Sequence, residues 1–255
     1  MSRVGYIALN TYRETVRDKV LYNLVLFALL MIASSYILGK ISVYQEVKII
    51  KDLGLAAISI FGMAIAIFVG IGLVSKEIDK RTLYSLLPKP ITRVQFLLGK
   101  YCGLCLTVLV NVLVMTAGLY FLLFLMSEPF EPALLKAILL IYVKLMVLVG
   151  VALLFSTFTS STLAGDFAGF VYVVGYFSSD LKNFDSVVET GALPQITKVL
   201  YYLLPNFKNF DIKAPIVAGD IVPMTQIVWA TAYGLLYVSL LLVASAWVFQ
   251  RRNLK

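Results

Sequence analysis

The chain has 255 residues, 60% of them hydrophobic and only 14% charged, with a formal net charge of +8. Soluble domains carry about a quarter of their residues as charges. This composition, with a mean hydropathy of +0.91, therefore excludes a soluble fold and defines an integral membrane protein. The positive balance does not signal nucleic acid, because the bases cluster at the ends of apolar runs. There they orient the chain and meet anionic headgroups.

In chain order, the first stretch is amphipathic. Val4, Ile7, Ala8 and Thr11 share one helical face, and Arg3, Asn10, Arg13, Glu14, Arg17 and Asp18 take the other. An interfacial helix over residues 1–20 is expected to feed the first span. The stretch lacks the small-residue cleavage site of a signal peptide. Crossing about 30 Å of hydrocarbon takes roughly 20 apolar residues. Six runs are read as spans: residues 21–38, 53–74, 101–126, 133–155, 163–177 (the shortest) and 227–249. The second carries Gly62, Gly70 and Gly72, small residues that let helices approach closely. A loop with Lys40, Glu46, Lys48, Lys51 and Asp52 separates the first two runs, and the acidic turn SEPFEP separates the third and fourth.

Between the fifth and sixth runs lies an outer segment, residues 178–224. Its apolar part, ITKVLYYLL, is too short to span and is stopped by Pro205. That length suits a re-entrant or interfacial helix. The expected fold is all-α, a polytopic membrane protein with six transmembrane helices forming one domain over residues 1–255. Six crossings put both termini on one side. The basic residues near both termini and between Lys76 and Lys100 place that side in the cytoplasm. Lys40, Lys48 and Lys51 run against the rule and are outnumbered.

The most charged and proline-marked stretch is the cytoplasmic loop, residues 76–100. Ile78, Thr82, Leu83, Leu86 and Leu87 recur at helical spacing, with Glu77, Asp79, Lys80 and Arg81 turned away. This predicts a short amphipathic helix stopped by Pro88 and Pro90. Thr92 then caps a new helix carrying Phe96 into the third run. A helix lying across the membrane surface is shaped to meet a partner in the water.

Glu77, Lys80, Thr82, Leu83, Leu86, Leu87, Pro90, Arg93, Phe96, Gly99 and Lys100, in that order, resemble the first cytoplasmic loop of type-2 ABC exporter permeases. The resemblance implies that this loop holds a coupling helix, with Glu77, Lys80, Arg81, Thr82, Leu83, Leu86, Leu87, Pro90 and Arg93 at the interface with a separate ATPase. Further on, Pro205, Asn206, Phe207 and Asp211 in LPNFKNFDIKAPIVAGD resemble the stretch before the last span in permeases of multi-copper-enzyme and nitrous-oxide-reductase maturation. By resemblance, the chain is expected to sit in the plasma (inner) membrane as one of two permeases. The pair would be a homodimer, or a heterodimer with a different permease, served by two cytosolic ATPase copies that bind ATP and Mg. The resemblance leaves room for a periplasmic maturation or accessory protein. Two other readings remain open from the residues: an assembly factor that uses an ATPase to remodel a client, and a secondary transporter needing none.

Catalytic chemistry is hard to find in this chain. There is no histidine, the commonest general base and metal ligand. Gly99-Lys100 lacks the upstream glycine of a phosphate loop, so ATP hydrolysis and its cofactors are expected in a partner. Cys102 and Cys105 make a CxxC that reads as a redox pair, half a metal site, or two small residues packed between helices. Lys144 lies near the middle of the fourth run, where a lysine costs about 3 kcal/mol to insert. A place in a transport path or dimer seam is weighed there against snorkelling or a carbonyl partner. Asp166 is the obvious counter-charge, but helix rise puts it well over about 10 Å away in depth.

Overall fold

A computed structural model describes residues 3–41, 45–72, 92–178 and 204–251. Among these, every regular element is helical. In order they are α1 (Arg3–Val16), α2 (Lys19–Ile41), α3 (Glu46–Gly72), α4 (Arg93–Leu125), α5 (Pro132–Ser156) and α6 (Ser161–Tyr176). A single 3-10 turn (Phe207–Phe210), α7 (Lys213–Ala218) and α8 (Met224–Arg251) follow.

Local chemistry sets the boundaries. Thr92 and Gln95 form a reciprocal capping box at the start of α4: the Gln95 N–H donates to Thr92 Oγ1 and the Thr92 N–H to Gln95 Oε1, both at 3.2 Å. Pro132 opens α5, where its missing N–H costs nothing. Gly219, at φ +90°, closes α7 in a left-handed conformation that a side chain would strain.

Among the described residues, five helices are long and apolar enough to cross a membrane: α2, α3, α4, α5 and α8. The fifth expected run, residues 163–177, forms α6. That helix has 16 residues, and at 1.5 Å per residue it covers about 24 Å, short of the hydrocarbon. The second expected span starts earlier than its apolar run, at Glu46, because the charges there are paired. Lys40 meets Glu46 at 2.8 Å, and Lys51 forms an ion pair with Glu131 at the start of α5. Two of the three lysines that break the positive-inside pattern are thereby neutralised.

The centre of the bundle is α5, whose residues from Val147 to Leu153 are all buried. α3 lies against it through glycines. A Cβ on Gly62 would stand 2.7 Å from Leu145 Cδ1, and one on Gly70 would stand 2.5 Å from the Ala152 Cβ. The outer faces of α2, α4, α6 and α8 are apolar and exposed, with Phe27, Phe124, Phe170 and Trp229 among them. Such a surface suits lipid.

α1 lays its apolar face against the first turns of α4. A Cβ on Gly99 would meet the Ile7 Cβ at 2.6 Å, and one on Gly103 would meet the Ala8 carbonyl oxygen at 2.6 Å. Thr11 and Thr15 are buried in the seam, while Arg13, Glu14 and Arg17 remain exposed.

Gly70→Val should crowd Ala152 and lower the thermal midpoint, with a cost of about 1–3 kcal/mol. Gly169→Ala, with nothing within 4 Å of the new methyl, should leave it unchanged or raise it. Thermal denaturation of both variants in detergent tests the packing.

Candidate functional site: a polar cluster inside the bundle

Lys144 lies about 18 Å along α5 from Pro132, half the length of the helix. It is 1% exposed, so it sits inside the bundle of the single chain. Its ammonium donates to Ser59 Oγ on α3 at 2.6 Å and lies 5.7 Å from the centre of the Tyr172 ring on α6. Ser59 also interacts with the Tyr172 side chain. Asp166 plays no part here: it is exposed on the second turn of α6.

The carboxylate of the cluster comes instead from the chain before α8. Past Leu204 this segment dips into the bundle. Pro205 packs on Gly175, where a Cβ would stand 2.4 Å from the Pro205 carbonyl oxygen. Asn206 caps the 3-10 turn by accepting from the Lys208 N–H at 3.1 Å, and its own N–H donates to the Tyr233 hydroxyl at 2.9 Å. Phe207 and Phe210 are buried against Tyr172 and Tyr233, with ring centres 5.3 and 5.9 Å apart. Gly234 makes room, since a Cβ there would stand 2.4 Å from Val143 Cγ1 and 3.1 Å from the Phe210 ring. Gly234 is about 15 Å into α8, so the turn reaches mid-bundle depth before the chain returns through α7.

That path delivers Asp211 to the cluster. Its Oδ2 accepts from the Tyr176 hydroxyl at 2.6 Å and lies 3.7 Å from Lys213 Nζ, while Oδ1 accepts from the Lys213 N–H at 3.4 Å. Lys144 lies within electrostatic range of both Asp211 and Lys213 but makes no contact ion pair with the carboxylate. Four elements thus converge: α3, α5, α6 and the segment around Asp211.

Of the residues expected at the partner interface, Glu77, Lys80, Arg81, Thr82, Leu83, Leu86, Leu87 and Pro90 lie outside the described residues. Arg93 is described. Its Nη1 donates to the carbonyls of Phe249 and Gln250, each at 3.1 Å, capping the last turn of α8 with a cation. Phe96 stacks on Phe249 with centroids 6.4 Å apart. Lys100 is buried beside Phe96, 3.8 Å from Glu14 of α1. Residues 73–91 are therefore followed directly by a joint between α1, α4 and α8.

Cys102 and Cys105 diverge, the first exposed and the second in the core. Among the described residues, no group of three or more His, Cys, Asp or Glu residues could hold a metal. Pro205, Asn206, Phe207 and Asp211, singled out by resemblance, are brought to Lys144, which was singled out by its cost in the membrane. Ser59, Tyr172, Tyr176, Lys213 and Tyr233 were not anticipated. The four-residue spacing of the two α6 tyrosines, which puts them on one face, was the available signal.

Taken together, the fold and its buried cluster define a multi-pass helical membrane protein. The chain matches the family model described as ABC-2 family transporter protein over residues 6–254, and it belongs to that family. No match is found among curated proteins. Membership makes it the membrane component of an ABC transporter, a transport subunit, and implies partnership with an ATP-binding subunit.

Tyr176→Phe and Asp211→Asn should each destabilise the protein by about 1–3 kcal/mol, the range for a hydrogen bond to a charged group. Thermal midpoints of the two single variants and the double variant form the check. The double variant should cost clearly less than the sum, because both changes remove one bond. Strict additivity would mean that the two groups do not interact.

Proposed function

We propose that this chain is the permease of a type-2 ABC exporter that moves its substrate by alternating access, driven by a separate cytosolic ATPase. The family match over residues 6–254 carries this reading. Residues 76–100 would hold the coupling helix, with Leu83 and Leu86 entering a groove on the ATPase and Glu77 and Arg81 at its rim, where charge steers more than it binds. Two permeases, as a homodimer, would work with two ATPase copies that bind ATP and Mg. The likeness of Pro205, Asn206, Phe207 and Asp211 to maturation permeases supports a role beside metalloenzyme assembly, with a periplasmic accessory protein as a further partner.

Both termini and the 76–100 loop would face the cytoplasm of a cell with its permease in the plasma (inner) membrane. Two observations support that orientation. Lys40 and Lys51, on the opposite end, are paired with Glu46 and Glu131, and the larger basic clusters of the sequence lie at the loop end. The sixth crossing would be made by α6.

Leu86→Asp would bury an unpaired charge at the docking face, a penalty of several kcal/mol, while leaving insertion intact. The cognate ATPase should then fail to co-purify, and its hydrolysis should lose stimulation by the permease. Glu77→Lys should weaken docking less and in a salt-dependent way. Retention and normal stimulation of the ATPase by the Leu86→Asp protein would remove the loop from the coupling role. Orientation has its own readout, after Cys102 and Cys105 are changed to serine. Ser127→Cys should react with a membrane-impermeant thiol reagent in intact cells and Thr82→Cys should not; the reverse pattern inverts the topology.

A further inference from the structure

The polar cluster is electrically incomplete. Among the described residues it holds two ammonium groups, Lys144 and Lys213, and one carboxylate, Asp211, a balance of one positive charge inside an apolar bundle. An ammonium has three N–H donors. Lys144 spends one on Ser59 and rests over the Tyr172 ring, while Asp211 is taken up by Tyr176 and Lys213. An intramembrane cation retained at this cost marks a binding or transport path when it lacks a dedicated counter-ion.

The positions of the charges differ in a telling way. Lys144 is fixed on α5, the most enclosed helix, whereas its only nearby carboxylate among the described residues sits between a four-residue 3-10 turn and a six-residue helix. That segment is held by the Tyr176 hydroxyl of α6, the Tyr233 hydroxyl of α8 and ring contacts, with no ladder of backbone hydrogen bonds to a long helix of its own. The Lys213 side chain is 20% exposed while Lys144 is 1% exposed. The cluster therefore has a rim and a floor, both cationic.

We propose that Lys144, Ser59 and Lys213 form a binding site for an acidic oxygen group, a phosphate or carboxylate, on the transported molecule, and that Asp211 holds the Lys213 arm of that site in the present conformation. The ligand meets Lys213 first, displaces the Asp211 carboxylate and takes the remaining donors of Lys144. Ser59 orients the ammonium, and the Tyr172 ring shields its apolar side. The inference rests on the transport reading for the ligand's role and on the geometry of the cluster for the site.

The test uses the full chain in phosphatidylcholine nanodiscs and reads the thermal midpoint. One arm adds sodium phosphate or sodium acetate against sodium chloride of equal ionic strength, so that a water-borne group is probed. The other replaces part of the phosphatidylcholine with phosphatidylglycerol, so that a membrane-borne phosphate is probed. A saturable rise is expected in one arm. Asp211→Asn should lower the half-saturating concentration about tenfold, because the competing carboxylate is gone. Lys213→Gln should raise it severalfold, and Lys144→Gln should abolish the rise. Ser59→Ala, which keeps both charges and removes little volume, should weaken the response and serves if Lys144→Gln does not fold. A rise that survives in the Lys144 variant, or that is undiminished in the Ser59 variant, overturns the proposal, as does the absence of a saturable rise in both the native and Asp211→Asn proteins. No ATPase enters this measurement. Its failure leaves the permease reading standing, and loss of that reading leaves the binding result intact.

Discussion

An ammonium in the middle of a membrane bundle constrains everything packed around it. Lys144 can be kept there only if polar groups come to it, because no water lies within the hydrocarbon to solvate it. Ser59 is brought by α3, which approaches α5 through glycines at positions 62 and 70. The tyrosines of α6 and the carboxylate of Asp211 arrive at the same depth from two further directions. The dip of the chain at Phe207 to Phe210 needs its own clearance, supplied by Gly175 and Gly234. The close packing and the buried charge are therefore one arrangement, since bulkier residues at these glycines would hold the polar groups away from the ammonium.

The loop end follows a different logic. Arg93, Phe96 and Lys100 lie on the first turns of α4 and bind the end of α8 and the surface of α1. Cations belong at helix C-termini, where exposed carbonyls carry partial negative charge, and Arg93 provides one from another helix. The residues that precede this joint belong to the loop proposed to meet a partner ATPase. α8 runs from the joint to Tyr233, which holds Asn206 beside the buried cluster.

Much of this was legible in the residues, and the gaps have physical reasons. Apolar run length located α2, α4, α5 and α8 well, because lipid demands it, and the Thr92 cap could be read from side-chain chemistry alone. Hydrophobicity reports surroundings and not depth, so the run over residues 163–177 located α6, with its 16 residues, without fixing how far it crosses. The amphipathic pattern of α1 was right in its faces, but a pattern cannot tell a lipid cover from the glycine-lined flank of α4. Charge pointed from Lys144 to Asp166, and helix rise argued against that pair. The actual carboxylate, Asp211, could be found only by knowing that a remote segment folds back into the bundle. Lys51 presented the same difficulty, since its partner Glu131 lies 80 positions away.

The Arg93 clamp also bears on how the subunit is completed during synthesis. Its acceptor carbonyls lie 156 and 157 positions further along the chain. At about 5–20 residues per second, the guanidinium waits roughly 8 to 30 s before Phe249 emerges. Throughout that interval the spans between are made while the base of the 76–100 loop has no last turn of α8 to grip. A chain that stops short of Phe249 could insert all its earlier helices and still present that loop on an unfinished footing. The joint between α4 and α8 is thus closed only once Phe249 and Gln250 have been made.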